Sequence, residues 1–457
     1  MAHIKEHKKI HLIGIGGCSM SGLARILTAR GYEVKGSDAN VSPFTQQLEK
    51  DGIEVFIGHN AENVGDADLI IYSAAIKEVN PERVYAKEHN IPEIERSVAL
   101  GQLSEGYETV VGVAGCHGKT TITSMLALMS HESKLDATVH VGGFVDFMGG
   151  GVALGSNDVF ITEACEYVES FLTLRPTIAI INNIDNDHLD YFKNIDNIVN
   201  AFRKYIRLLP KDGLFIGCSD DFRVKALMDE FKGDVRCVSF GMKDAEYTPC
   251  NIVYNDMGNP SYDLVKNGET LFKVELNVPG EHSIIDSIAA AITAIELGID
   301  KEYIIKALAD YKNTRRRFEY YGERNGIKVF HDYAHHTAEI EAVLSAASRY
   351  PHNKMWCVFQ CNSYTRAKTL FLDNLNCFKY ADTVIVPDIY PGRETDDGSV
   401  HARDMAEAIA KTGTNTIYIS TFEEIRTFLD EHAQSGDMVI TLGSGDVYKK
   451  TRLFLED

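Results

Sequence analysis

Val110-Val111-Gly112-Val113-Ala114-Gly115-Cys116-His117-Gly118-Lys119-Thr120-Thr121 is the stretch on which the reading of this chain turns. The apolar run up to Ala114 has the pattern of a buried parallel strand, and Thr120 to Met129 that of a helix. Between them lies a tight glycine-rich turn. A strand that passes through Gly-x-x-Gly-Lys-Thr into a helix is a phosphate cradle, because N–H groups of the turn and of the helix N-terminus converge on an anion. In such a cradle Lys119 reaches the terminal phosphates and the Thr120 hydroxyl ligates Mg2+. The strict pattern has glycine at 113; Val113 stands there, with Gly112 one residue early, so the cradle is a variant. The alternative is an ordinary glycine turn with a solvated lysine. The strand–turn–helix context favours the cradle.

A chain of 457 residues predicts about two to four domains, each with its own core. Its 44% apolar and 25% charged residues are those of a soluble globular protein. A net charge of −20, from 46 basic and 66 acidic side chains, argues against a general nucleic-acid surface, though not against a locally held phosphate. Nine scattered cysteines with no Cys-x-x-Cys pair predict a reduced, cytoplasmic protein without a disulfide framework. Met1 to Ile10 is charged and lacks the apolar stretch of a signal peptide, and no apolar run is long enough to span a bilayer.

The first unit, from about residue 8 to about 100, opens with a predicted strand at Lys9–Ile15, a turn at Gly14–Met20 and a helix at Ser21–Arg30. A second strand at Glu33–Ser37 ends at Asp38, an acid about twenty residues past the glycines, as in a dinucleotide-binding βαβ unit. Ser19 stands where the third glycine belongs, so the turn fits a phosphate better than it fits NAD. Ser73 closes another strand, at the sheet edge where ligands of open α/β folds gather.

In the second unit, Glu163-Ala164-Cys165-Glu166 and Asn183-Ile184-Asp185-Asn186-Asp187-His188 each follow a predicted strand, on the edge that carries the cradle. Carboxylate and imidazole there suit a Mg2+ shell or a proton relay; taken singly, Glu163 is a helix cap and His188 a turn residue. Tyr262 to Phe272 has the pattern of a hairpin with an Asn267-Gly268 turn, an antiparallel annex on a mostly parallel sheet. A helix is predicted over Ile285–Leu297. The third unit follows Arg315-Arg316-Arg317, which is either a solvated face or a phosphate clamp at a domain joint. Alternating strands and helices make every unit α/β.

Taken in order, His11-Leu12-Ile13-Gly14-Ile15-Gly16-Gly17, Gly36-Ser37-Asp38, Ser73-Ala74-Ala75-Ile76, the cradle, the two acidic clusters through Asp190, Arg316-Arg317-Phe318, Asp332-Tyr333-Ala334-His335-His336 and Asp388-Ile389-Tyr390 resemble the Mur ligases over essentially the whole chain. The resemblance implies three domains: 1–104, Rossmann-like, for a UDP-sugar; 105–313, a P-loop-type ATPase; and 314–457, Rossmann-like, closing on ATP and an amino acid. It implies a cytoplasmic, ATP- and Mg2+-dependent ligase of peptidoglycan precursor synthesis, monomer or homodimer. That ligase joins L-alanine to the lactyl carboxylate of UDP-N-acetylmuramic acid through an acyl phosphate.

By the same resemblance, Lys119, Glu163, His188, Arg316 and Arg317 are catalytic, and Thr120, Glu163 and His188 ligate the metal. Gly115 to Thr121, with His282 and Asp286, hold ATP. Gly16, Gly17, Ser19, Met20, Asp38 and Ser73 hold the UDP-sugar. Tyr333, His335, His336 and Arg366 line the amino-acid side. Ser283 and Asp286 replace the family's paired asparagines, and Gln360-Cys361-Asn362-Ser363-Tyr364-Thr365-Arg366 replaces its Gln-Pro-His-Arg-Tyr-Thr-Arg. Those changes leave two rivals: a ligase for another amino acid or a peptide, and a non-catalytic sensor of the UDP-sugar. The first βαβ unit alone admits a dehydrogenase. Cys116, beside a helix N-terminus, is expected to have a lowered thiol pKa.

Overall fold

Aliphatic and β-branched runs build three sheets in a computed structural model that describes residues 2–156, 158–370, 374–392 and 394–456. The side chains of Asp190 and Leu370 lie outside the described residues. The chain divides into two compact units, Met1–Cys250 with Asp263–Val274 and Ile285–Asp310, and Asn251–Tyr262 with Glu275–Ile284 and Tyr311–Asp457. Among the described residues no helix is long and apolar enough to cross a membrane.

The first sheet holds β1 (Lys9–Ile13), β2 (Glu33–Asp38), β3 (Glu54–Ile57), β4 (Leu69–Tyr72) and β5 (Glu93–Glu95) in the order β3-β2-β1-β4-β5, all parallel. The order reverses between β1 and β4, and ligands of open α/β sheets bind at that reversal. The glycine turn after β1 and Ser73 after β4 both lie there. The helix after the turn starts at Cys18, three residues earlier than predicted, because extended Gly17 caps it directly.

The second sheet has ten strands: β6 (Thr109–Ala114), β7 (Thr138–Val145), β8 (Gly150–Ala153), β9 (Val159–Glu163), β10 (Ile178–Ile181), β11 (Leu214–Cys218), β12 (Arg236–Phe240), β13 (Tyr247–Tyr254), β14 (Pro260–Lys266) and β15 (Glu269–Glu275). β6 lies between β10 and β9, parallel to both. The buried strands β6, β10 and β11 are near-continuous apolar runs, as a sheet covered on both faces requires. The predicted Asn-Gly hairpin joins β14 to β15. Asn267 and Gly268 have φ of 49° and 86°, the left-handed pair of a type I′ turn.

The second unit contains the third sheet: β16 (Glu319–Arg324), β17 (Ile327–Asp332), β18 (Met355–Phe359), β19 (Thr383–Val386), β20 (Thr416–Tyr418) and β21 (Met438–Leu442). The order is β16-β17-β21-β18-β19-β20, parallel except for the β16/β17 pair. Three sheets with intervening helices make the three-domain α/β fold that the residues imply.

Candidate active site

Parallel register delivers the ends of three strands to one place. Ala114 at the end of β6 pairs with Ile181 of β10, and Val113 pairs with Glu163 of β9. The Gly115–Gly118 turn is therefore flanked by Glu163 on one side and Asn182-Asn183 on the other. Gly115 and Gly118 have φ of 132° and 88°, and Gly118 caps the Lys119–Ser133 helix. A Cβ at Gly118 would lie 2.4 Å from Asn182 Nδ2 and 2.5 Å from Asp286 Oδ1, so only glycine fits. Asn183 fastens the turn twice: its Oδ1 accepts from His117 N at 2.8 Å and its Nδ2 donates to His117 O at 3.1 Å. Asn182 Nδ2 donates to Asp286 Oδ1 at 2.9 Å, which places Asp286 against the turn. Thr120 and Thr121 lie in the helix's first turn.

The Lys119 ammonium folds back over this turn. It donates to the carbonyls of Gly115 and Cys116 and to both oxygens of Glu166, at 3.1 and 2.9 Å. Burial alone pulls an ammonium pKa down; the Glu166 carboxylate more than offsets it and leaves Lys119 above its ordinary value. Glu166, Asp187 and His188 each offer a ligand atom within 4.8 Å of the others. Two carboxylates and an imidazole beside a phosphate cradle are a donor set that fits a divalent cation. His188 belongs to this group, whereas Glu163 Oε1 accepts from Gly142 N on β7. Sequence reasoning missed Glu166, Asp187 and Asn182. The clusters that contain Glu166 and Asp187 were visible; their pairing with Lys119 and His188 was not.

Two readings are corrected. Gly112 is not an early cradle glycine. It sits inside β6, and a Cβ there would lie 1.9 Å from Tyr205 Oη, so it admits a buried tyrosine. Cys116 has no lowered thiol pKa. It is buried, and burial pushes the thiol well above its ordinary value, the Glu166 carboxylate adding to the effect. Its Sγ donates to Asp185 O at 3.4 Å, two residues before the helix cap.

In the first sheet, the backbone N–H groups of Gly14 and Ile15 donate to Ser37 O, and Gly16 N donates to Asp38 Oδ2 at 2.9 Å. Asp38 thus holds the turn itself. A Cβ at Gly14 would touch Ser73, and Gly17 N donates to Gly14 O. Met20 turns into the core. Ser19 Oγ lies 3.0 Å from Arg96 Nη1 and 3.1 Å from His140 Nε2, two partners the sequence did not suggest.

The second unit gathers its own cluster. Arg316 lies with its guanidinium 4.6 Å from the Tyr333 ring and 4.3 Å from the Tyr448 ring, and its Nη2 donates to the carbonyls of Ser444 and Gly445. Arg317 lies 5.2 Å from the same Tyr333 ring and 4.0 Å from Glu339. Glu339 also accepts from the backbone N–H groups of His335 and His336. Asp332 accepts from Phe318 N and Ala334 N, both at 2.7 Å, and burial raises its pKa to about 6. His282 packs on Gly280, while Arg366 lies on a separate helix, its N–H donating to Ser363 Oγ.

Known families match this arrangement along the chain. The description "Mur ligase family, catalytic domain" matches residues 9–108, "Mur ligase middle domain" 113–294 and "Mur ligase, glutamate ligase domain" 316–445. The UDP-N-acetylmuramate–L-alanine ligase of Clostridium acetobutylicum is 46% identical over 98% of this chain and 97% of its own. That of Acetivibrio thermocellus is 45% identical over 99% and 96%. The fold is similar to the UDP-N-acetylmuramate-alanine ligase MurC of Thermotoga maritima, with TM-score 0.81 and 27% identity over 98% of both chains. It is also similar to a murein peptide ligase of Psychrobacter arcticus, with TM-score 0.73 and 23% identity over 98% of both chains. With three matched domains in order and relatives aligned almost end to end, the chain belongs to the Mur ligase family.

Proposed function

We propose that this chain is an ATP-dependent ligase that joins L-alanine to the lactyl carboxylate of UDP-N-acetylmuramic acid in peptidoglycan precursor synthesis, with domain borders near 104 and 313. The observation that carries it is the cradle: Gly115 to Thr121 capped onto a helix, with Lys119, Glu163, Glu166 and His188 at the same strand ends. Near-full-length identity to L-alanine ligases supports the choice of substrates.

A carboxylate is a poor electrophile at neutral pH. Transfer of the terminal phosphoryl group of ATP makes one of its oxygens a leaving group. The amine of L-alanine then attacks the acyl carbon, and the tetrahedral species loses phosphate, leaving amide, ADP and phosphate. Negative charge spreads over the transferred group, so a fixed cation beside it lowers the barrier. Lys119 fills that role when it exchanges the Gly115 and Cys116 carbonyls for phosphate oxygens. Thr120, Glu163 and His188, with Glu166 and Asp187, are the residues that would hold Mg2+, which neutralises phosphate charge. Arg316 and Arg317 are assigned to the phosphoryl group, His282 and Asp286 to the nucleotide, and Tyr333, His335, His336 and Arg366 to the amino acid. Gly16, Gly17, Ser19, Asp38 and Ser73, with Met20 through its backbone, are assigned to the UDP-sugar.

Phosphate release, scanned across amino acids and peptides with ATP and UDP-N-acetylmuramic acid present, tests this. L-Alanine is expected to give the fastest turnover. Equal or faster release with glycine, serine or a peptide would reassign the nucleophile, and tight sugar-nucleotide binding without ATP use would make the chain a sensor.

A further inference from the structure

Ser19 occupies the place of the third glycine in the first βαβ unit, and its side chain meets a histidine of another sheet. His140, on β7, is 3% exposed and 121 positions away in sequence. Its Nε2 lies 3.1 Å from Ser19 Oγ and 3.2 Å from Ser19 O, and its Nδ1 lies 3.2 Å from Thr162 Oγ1. Gly22, on the helix that carries Ser19, makes room for the ring: a Cβ there would lie 2.8 Å from His140 Cδ2. Burial pushes the imidazole pKa down to about 4, so the ring is neutral at neutral pH.

Counting protons gives the arrangement a direction. The Ser19 carbonyl only accepts, so Nε2 carries the single ring proton, and Nδ1 is left as an acceptor facing the Thr162 hydroxyl, whose proton also reaches Glu163 O at 3.2 Å. Nε2–H therefore donates to Ser19 through both the carbonyl and Oγ. Arg96 Nη1 also donates to Oγ, at 3.0 Å. A serine hydroxyl has two lone pairs and one proton. With both lone pairs occupied, Ser19 retains only its proton to offer. That proton sits in the first turn of a 12-residue helix, directly after the Gly14–Gly17 turn, where negative charge is favoured.

We infer that His140, together with Arg96, is a positioning residue that commits the Ser19 hydroxyl to donation and so selects an anionic oxygen of the sugar nucleotide at the glycine turn. This rests on the ligase reading. Thr162 precedes Glu163, so the same ring ties the sugar-nucleotide turn to the strand end beside the ATP cradle.

Calorimetric titration of the full chain with UDP-N-acetylmuramic acid tests it. His140→Leu is expected to weaken binding about tenfold, the loss of one buried hydrogen bond. His140→Gln, whose amide N–H reaches like Nε2–H, is expected to recover most of that loss, which a mere packing role would not allow. Should the leucine variant fail to fold, Ser19→Ala provides the same tenfold comparison. Wild-type binding with all variants unchanged, or equal loss in the leucine and glutamine variants, overturns the inference and leaves the ligase reading intact. A wild-type chain that does not bind the sugar nucleotide overturns both.

Discussion

Lys119 Nζ lies 2.9 Å from Glu166 Oε2, and Glu166 is 1% exposed. Removing either partner of a buried ion pair strands the other charge, at a cost of about 3 kcal/mol or more. Lys119→Met and Glu166→Gln are each expected to lose about 3 kcal/mol of unfolding free energy, and the double variant less than the sum. Urea titration of the four proteins measures it. Strictly additive losses would mean that the two charges do not stabilise each other.

Gly142 N donates to Glu163 Oε1, and a Cβ at Gly142 would lie 2.6 Å from Glu163 Oε2. Gly142→Ala must displace that carboxylate. The Mg2+ concentration for half-maximal phosphate release is expected to rise about tenfold, as when a supporting group of a metal site is lost. An unchanged Mg2+ dependence would remove Glu163 from the metal assignment.

Gly112 faces Tyr205 Oη, which among the described residues has no hydrogen-bond partner. Gly112→Ala overpacks this contact and is expected to cost about 2 kcal/mol. Tyr205→Phe in the same chain removes the clashing oxygen and is expected to restore much of it. The melting temperatures decide; no rescue would place the strain elsewhere.

Asp332 has a folded pKa of about 6 against an ordinary 3.8, raised by burial and opposed by Arg317 and two N–H groups. Between those values the folded chain binds more protons than the unfolded chain, so Asp332 makes stability fall as pH rises. The contribution is complete below the ordinary pKa and lost above about 6. Denaturant curves at intervals across that window are expected to show the fall in the parent and a flatter profile in Asp332→Asn. Parallel profiles would contradict it.

Cys116 and Cys165 both carry raised thiol pKa values through burial, Cys165 at about 11. Iodoacetamide at neutral pH is expected to leave activity intact over minutes, with both thiols modified only after unfolding. Rapid inhibition prevented by Mg-ATP would restore the view of Cys116 as a reactive thiol.

What consecutive residues dictate was legible beforehand. The strand–turn–helix at 109–133, the Asn267-Gly268 hairpin and the parallel character of the sheets follow from apolar periodicity and from backbone shapes that only glycine or asparagine adopts readily. The residue types at strand ends already pointed to one edge of the second sheet, and β6, β9 and β10 end together there.

Tertiary structure alone decided what those residues face. Glu166, 47 positions beyond Lys119, became its counter-charge, and His140 became the partner of Ser19. Gly112 packs against Tyr205, and Cys116 is buried, with its thiol pKa raised rather than lowered. The physical reason is the same in each case. Charge, proton affinity and steric room depend on distances between groups remote in sequence, and those distances exist only once the sheets have closed.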